Sequence, residues 1–489
     1  MNFVPVFFFW VLLLIGMVSR GPFIFYLLFG SMAFGSFAVI PPELTSGLSF
    51  TPPPIIALAI IVKYGGGTNG LSRMLDISLR PSQCLLLFVF WIVAVLVTLL
   101  MPRLFAGQIL IIPMRLEEAS FGDPLYPTQQ NISQLMYLTI SIVTVFACAL
   151  AFRSAATRQH VLSALCVGGA VTVFTGVLDL VGIGAYLDVF RTATYAYLVD
   201  VELSNVKRIV GLMPEASSFG SLAVGFLSAI YFFRRAISTP WIRLVAAPVL
   251  IVLLTLFALL STSSSAYGGL GIFGCVAAVE WFWRLLMAPK GSRAREGLAS
   301  EYWAIVCGLA AIYLLALVKP SLFDPLLELV DTIVFQKTSS DSFIERSMWT
   351  AVSLNALFDS WGLGVGMGST RASNGVVAVF SNTGIAGGLL YYGFMLQTLL
   401  RRARPGDHTG ALILNAVRFY TPPVVIVGIL AGTSADFGVM NACIYALAAA
   451  VAWPGTSPVR AVASPAPARS KPATAPVSGR AARGQPSRA

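Results

Sequence analysis

The sequence predicts an all-α fold: a polytopic integral membrane helical bundle with about 12–13 transmembrane helices. Three observations predict it. The 489 residues are 57% hydrophobic and only 11% charged, with a mean hydropathy of +0.81, whereas a soluble chain is about 25% charged. The apolar residues come in long unbroken runs, most of them near the roughly 20 residues that a spanning helix needs. Those runs lack the period-two alternation of a barrel strand, so their backbone groups must be satisfied within helices.

Taken in order, the runs lie near residues 3–18, 22–40, 48–64, 83–101, 134–152, 160–184, 216–233, 243–261, 266–287, 302–319, 374–400, 411–432 and 435–453. The third is the weakest, being short and led by Pro52, Pro53 and Pro54. The first lacks the basic flank and small-residue cleavage site of a signal peptide, and it reads as retained. Residues 1–453 therefore form one membrane domain. Residues 454–489 are Pro, Ala, Ser and Arg with few core-forming side chains, which predicts a disordered basic tail.

The basic residues orient the bundle. Loops on one side hold Arg20, Lys63, Arg73, Arg80, Arg153, Arg158, Arg234, Arg235, Arg243, Arg284, Lys290, Arg293, Arg295, Arg401, Arg402 and Arg404. With Arg418 and the tail, that side carries all but nine of the 32 Lys and Arg. The poorer side holds Arg103, Arg115, Arg191, Lys207, Arg208, Lys319, Lys337, Arg346 and Arg371. The positive-inside rule makes the richer side cytoplasmic, with the N-terminus outside and the tail inside. The net charge of +11 thus reports topology, and no nucleic-acid partner is expected.

Cys84, Cys148, Cys166, Cys275, Cys307 and Cys443 all fall within expected spans, without metal-ligand spacing or a disulfide framework. His160 and His408 fall at cytoplasmic edges, which excludes a histidine-based zinc site or a Ser-His-Asp triad on the outer face. No metal and no cofactor is expected.

Three outer loops, 102–133, 185–214 and about 320–373, exceed what a connector requires. The second ends NVKRIVGLMPEASSFGS. Pro214 suits the first turn of the next span, and Glu215 after it favours the helix dipole. Glu215 is also a candidate base for a sugar hydroxyl, seven residues beyond the Lys207-Arg208 pair. Asp200, Glu202 and Asp436 are alternatives on the same face. Asp179 is the clearest acid inside a span, either paired or lining a polar cavity.

In the third loop, Asp324-Pro325 reads as a cap and first turn before LLELVDTIVF. Ser342 and Glu345 fit a capping box opening a helix to about Phe358. Phe343, Ile344, Met348, Val352 and Leu354 are expected to face the membrane body, with Arg346, Thr350 and Ser353 on another face. The glycine ladder GLGVGMGSTRASN follows. A nucleotide fingerprint would need a preceding strand and a different spacing, but glycines do let a chain pass close to a ligand. Arg208, Arg346 and Arg371 are three planar forks suited to a phosphate dianion, all on the outer side. Either each snorkels or pairs with Asp341, Glu345 or Asp359, or they serve a lipid-linked diphosphate. The catalytic candidates are Arg208, Glu215 and Arg346. The substrate-binding candidates are Lys207, Arg371, Gly366, Ser369 and Asn374.

From about residue 83 to 453 the chain resembles the superfamily of bacterial O-antigen ligases and of O-antigen and exopolysaccharide polymerases. The segments that carry the resemblance are RIVGLMPEASS from Arg208, STSSSA from Ser261, and Arg346 followed by GLGVGMGSTRAS. The resemblance implies a metal-independent glycosyltransferase of the bacterial inner membrane, its active site facing the periplasm. Such an enzyme moves a glycan from an undecaprenyl-diphosphate-linked oligosaccharide to an acceptor hydroxyl. Arg208 and Arg346 would hold the diphosphate, and Arg371 would assist. Ligases of the superfamily carry a histidine where this chain has TRASNGVVAVF, with Asn374; that difference, and MPEASSFGS, favour a polymerase. Membrane lipid, a chain-length regulator and other polysaccharide-assembly proteins are the implied partners. The competing readings are ligase-type transfer, a transporter or flippase of lipid-linked saccharide, and a non-catalytic assembly component.

Overall fold

The computed structural model describes residues 3–40, 49–114, 122–194, 202–203, 206–319 and 341–452. These are helical nearly throughout, and they belong to one compact unit, Met1–Ala452. The tail expected to be disordered lies outside the described residues, as does the LLELVDTIVF helix.

The helices are α1 (Phe3–Val18), α2 (Phe23–Ser31), α3 (Pro52–Gly65), α4 (Gly70–Leu79), α5 (Leu85–Leu104), α6 (Gln129–Ala151), α7 (Ala155–Leu180) and the single turn α8 (Gly184–Leu187). They continue as α9 (Ala216–Phe233), α10 (Ala247–Leu260), α11 (Ser264–Met287), α12 (Leu298–Val318), α13 (Asp341–Asp359), α14 (Gly375–Leu400), α15 (His408–Ala431) and α16 (Gly438–Val451). Two short antiparallel pairs lie in the loops: β1 (Leu110–Ile111) with β2 (Asp123–Pro124), and β3 (Glu202–Leu203) with β4 (Val206–Lys207).

Every expected apolar run contains a helix, and the helices differ in length. Among the described residues nine helices are long and apolar enough to cross a membrane, or ten if α3 and α4 count as one span bent by 106°. The other three of the thirteen expected runs, at α1, α2 and α16, give shorter helices. The run 22–40 yields only nine helical residues. Beyond them the chain turns irregular and is held by the outer loops: Ser36 N–H donates to the Leu212 carbonyl at 2.9 Å, and Thr192 N–H to that of Ser36 at 3.0 Å. Irregular backbone at membrane depth is tolerated when protein satisfies it in this way. The proline-led run starts α3 at Pro52, and Gly65–Thr68 with a left-handed Asn69 (φ 61°) break it before α4. The N-terminal and C-terminal helices, α1 and α16, are also short.

Alternating helices sort the loops to two ends. At the arginine-rich end Lys63 Nζ donates to the carbonyls of Gly16 and Ser19, both at 2.7 Å, and Arg401 donates to that of Gln83. A buried network also forms there. Arg235 pairs with Glu280 (2.9 Å) and Glu301 (3.0 Å), Arg284 with Glu280 (2.8 Å) and Glu301, and Arg234 with Glu301. It ties α9 and α11 to the base of α12, whose apolar stretch has no residue buried within the protein. The core runs through α9, where Phe219, Phe226 and Phe233 are fully buried.

At the arginine-poor end the glycine ladder packs into the bundle. Gly362, Gly364, Gly366 and Gly368 all have positive φ, from 74° to 93°. Their backbone meets α14 where that helix breaks at Gly384 (φ 75°, ψ 176°). Val365 N–H donates to the Ser381 carbonyl (2.8 Å) and Gly366 N–H to that of Asn382 (3.1 Å), which satisfies carbonyls the broken helix frees. A side chain at Gly364 would put its Cβ 2.4 Å from Gly384 N. Gly364→Ala should therefore cost more than the roughly 1–2 kcal/mol of a left-handed L-residue. Gly406→Ala, at φ 85° in open space, should cost only that strain. Thermal denaturation of the two variants in detergent tests the difference; equal melting temperatures would contradict a backbone-packed ladder.

Candidate functional site

The site begins with a buried carboxylate. Asp179, on the last turn of α7, is 1% exposed. Its Oδ2 accepts from the backbone N–H of Val210 (2.7 Å) and of Gly211 (3.0 Å). Its Oδ1 pairs with Lys207 Nζ at 2.9 Å, and its own carbonyl accepts from the same ammonium at 2.9 Å. Ile209 N–H donates to the Leu260 carbonyl at 3.2 Å. One acid thus straps residues 207–211 across the ends of α7 and α10, and Asp179 is paired.

The strap fixes Arg208. Its Nε donates to Thr262 Oγ1 at 3.0 Å and its Nη2 to the Thr262 carbonyl at 3.3 Å. Thr262 has φ 46°, a backbone setting that β-branched residues avoid. It sits in the tight turn between α10 and α11 and presents hydroxyl and carbonyl to one guanidinium. Glu215 is the N-cap residue of α9, so Pro214 precedes the helix rather than opening its first turn. Its Oε1 accepts from Ser217 and from Ser218 (3.4 Å). Among the described residues its Oε2 accepts no hydrogen bond.

The opposite wall comes from α13 and the loop after the ladder. Arg371 N–H donates to the Ile112 carbonyl at 2.8 Å, and Ser353 Oγ donates to the Arg371 carbonyl at 3.1 Å. With its backbone pinned, the Arg371 guanidinium lies 4.0 Å from the ring centroid of Trp349, a cation–π contact. Arg346 is one turn before Thr350, whose hydroxyl donates to the Arg346 carbonyl (2.9 Å) and accepts from Ser373 N–H (3.2 Å).

These groups sense one another. Burial pushes the Arg208 guanidinium below its ordinary pKa; Glu215 works against that shift and Arg346 adds to it. Burial does the same to Arg371, again opposed by Glu215 and reinforced by Arg346. Guanidinium stays protonated through such shifts. Arg208 and Arg371 thus both feel Glu215 and Arg346, and Arg371 also feels Glu345. Among the described residues none of the three arginines forms an ion pair within 4.0 Å, Glu345 and Asp359 included, while the side chain of Asp341 is outside the described residues.

The other candidates are occupied by the fold. Lys207 belongs to Asp179. Every N–H from Gly364 to Ser369 already has an acceptor within the protein: Ser360 Oγ, the Ser381 carbonyl, the Asn382 carbonyl, Thr98 Oγ1, Asn382 Oδ1 and the Gly366 carbonyl. Residues 364–369 have no backbone N–H left for an anion, and Gly366 packs against Pro102 and Thr98 of α5. Ser369 Oγ donates to the Val365 carbonyl (2.6 Å) and accepts from Asn131 (2.7 Å). Asn374 caps α14 by accepting from Val376 and Val377 N–H. The structure gives Gly366, Ser369 and Asn374 structural contacts within the protein. The buried face of α13 is shifted from the expected one: Trp349, Ser353, Ala356 and Leu357 are buried, Met348 and Val352 are half-buried, and Phe343, Ile344 and Leu354 are exposed.

Asp436 lies apart, with Oδ1 accepting from Gly438 N–H at 3.1 Å. It lines a cavity of about 290 Å³ among α14, α15 and α16. Asp200 is outside the described residues, and of Glu202 only the backbone, opposite Lys207, is described. Thr262 and Trp349 were not among the expected site residues. Only the hydroxyl-rich STSSS after an apolar run hinted at the first; the second read as an ordinary apolar helix position.

Compared with known protein families, with curated proteins and with solved structures, the chain has no match in any of the three.

Removing the anchor tests the assembly. Asp179→Ala leaves two buried N–H groups without an acceptor, at roughly 1–3 kcal/mol each. Amide hydrogen exchange should then rise across residues 207–213 and stay unchanged across 346–371. Unchanged protection at 207–213 would contradict the anchoring role.

Proposed function

We propose that this chain is a membrane glycosyltransferase of the bacterial inner membrane. It polymerises polyprenyl-diphosphate-linked oligosaccharide repeat units into a surface polysaccharide or exopolysaccharide, working at the periplasmic face. The observation that carries this reading is that Arg208 and Arg371, each held in place by neutral partners, both feel Arg346 and Glu215, at a bundle end poor in other cations, and that among the described residues none of the three arginines forms an ion pair within 4.0 Å. A multi-charged anion beside lipid is the ligand such a site suits, and a lipid diphosphate fits that description. The resemblance to O-antigen and exopolysaccharide polymerases points the same way.

In this mechanism the hydroxyl of an acceptor unit attacks the anomeric carbon of the lipid-linked chain. Glu215 takes the hydroxyl proton, through the Oε2 that carries no hydrogen bond while Ser217 and Ser218 hold Oε1. The bond from the anomeric carbon to the diphosphate oxygen breaks, and the electron pair leaves with the lipid diphosphate. Arg208 and Arg346 stabilise the charge growing there. Arg371, stacked on Trp349, grips the diphosphate from the other side. Because Thr262 and Trp349 already orient two of the three guanidiniums, little reorganisation accompanies the step.

Reconstitution with purified lipid-linked repeat units, resolving products by length, tests the proposal. Arg208→Ala and Arg346→Ala should each lower the polymerisation rate by about 100-fold or more, and Glu215→Gln should do so without weakening donor binding. Normal polymer length and yield from the arginine variants, at unchanged protein level, would overturn it. Turnover that moves lipid-linked material without lengthening it would instead favour a flippase.

A further inference from the structure

Helix α13 has three faces. Trp349, Ser353 and Ala356 are buried in the protein. Phe343, Leu354 and Phe358 fall in a second sector, at about 100° per residue, and all are exposed, Phe358 at 64%. Asn355 and Asp359 fall in a third sector and are exposed and polar. The helix then ends in Trp361, which has φ 53°. Glycine occupies such a helix-ending position without strain. This chain instead places there an indole that is 85% exposed.

The exposed apolar sector is continuous with a spanning surface. Gly362 lies against Ile385 of α14, and Ile385 and Leu389 are exposed at 48% and 64% on the side of that span not covered by protein. From these observations we infer that α13 is an interfacial helix. Its Leu354–Phe358–Trp361 stripe rests in the acyl boundary of the leaflet at the arginine-poor end, and its Asn355–Asp359 strip faces water. Bundle, lipid and water each take one face, the geometry of a helix lying along a bilayer surface. Tryptophan favours that boundary, which accounts for a strained indole where glycine would serve. The occupant of the apolar face is phospholipid. One consequence is that Arg346, on the bundle side of the same helix, is held at headgroup height.

The test uses the full chain in phospholipid nanodiscs, with the two exposed cysteines, Cys275 and Cys307, replaced by alanine. Nitroxide labels are placed singly at positions 354, 358, 361, 355 and 359. Labels at 354, 358 and 361 should collide preferentially with oxygen, which partitions into lipid. Those at 355 and 359 should prefer a water-soluble nickel chelate, reversing the ratio of the two accessibilities. Nickel accessibility at 354 and 358 equal to that at 355 and 359 overturns the inference. So does protection of 354 and 358 from both reagents, which would mean that a second copy covers the face. If Trp361→Cys fails to fold, positions 354 and 358 decide. No readout depends on catalysis, so the result stands apart from the glycosyltransferase proposal.

Discussion

The arginine-poor end of this protein depends on one buried carboxylate. Asp179 spends both oxygens on a strap that has no regular structure of its own beyond the short β4. Two backbone N–H groups and one ammonium compensate its charge, and without them a carboxylate at 1% exposure would be very costly. The requirement is mutual. The strap cannot dissociate without leaving that charge unpaired, so Arg208 is carried on a segment as rigid as the end of α7. The cation faces the site because the acid behind it is already satisfied by other donors.

The two ends handle charge in opposite ways. At the arginine-rich end Arg234, Arg235 and Arg284 are buried and matched to Glu280 and Glu301. Such a network fixes geometry more than it adds stability, since desolvation consumes much of the Coulombic gain. It binds the base of α12, which has little packing to hold it. At the other end Lys207 and Arg191 pair with Asp179 and Asp188, but Arg208 is held by a hydroxyl and a carbonyl and Arg371 by an aromatic ring rather than by acids. Groups oriented by neutral partners keep their charge available. That contrast separates cations that build the fold from cations left for a ligand.

The glycine ladder shows how a local pattern can belong to packing. Alternate glycines with positive φ turn successive N–H groups to acceptors on α5, on α14 and within the ladder itself. The ladder fills the break at Gly384, and its close seating carries Arg371 to Ile112, the residue after β1. Its contribution to the site is to place Arg371, several residues beyond its last glycine.

By itself the sequence determined that the chain is an all-helical membrane bundle, which loops share an end, and that Arg208, Glu215, Arg346 and Arg371 belong to one face. Hydropathy and basic-residue bias follow from transfer free energy, which acts on each segment separately and is therefore readable along the chain. Tertiary structure decided the rest. Whether 22–40 spans depended on partners near Thr192 and Leu212. The contacts that Gly366, Ser369 and Asn374 make depended on partners from α5, α6 and α14. The roles of Thr262 and Trp349, and the exposed side of α13, depended on neighbours distant in the chain. Hydrogen-bond satisfaction and side-chain stacking are pairwise and long-range, so no local pattern encodes them.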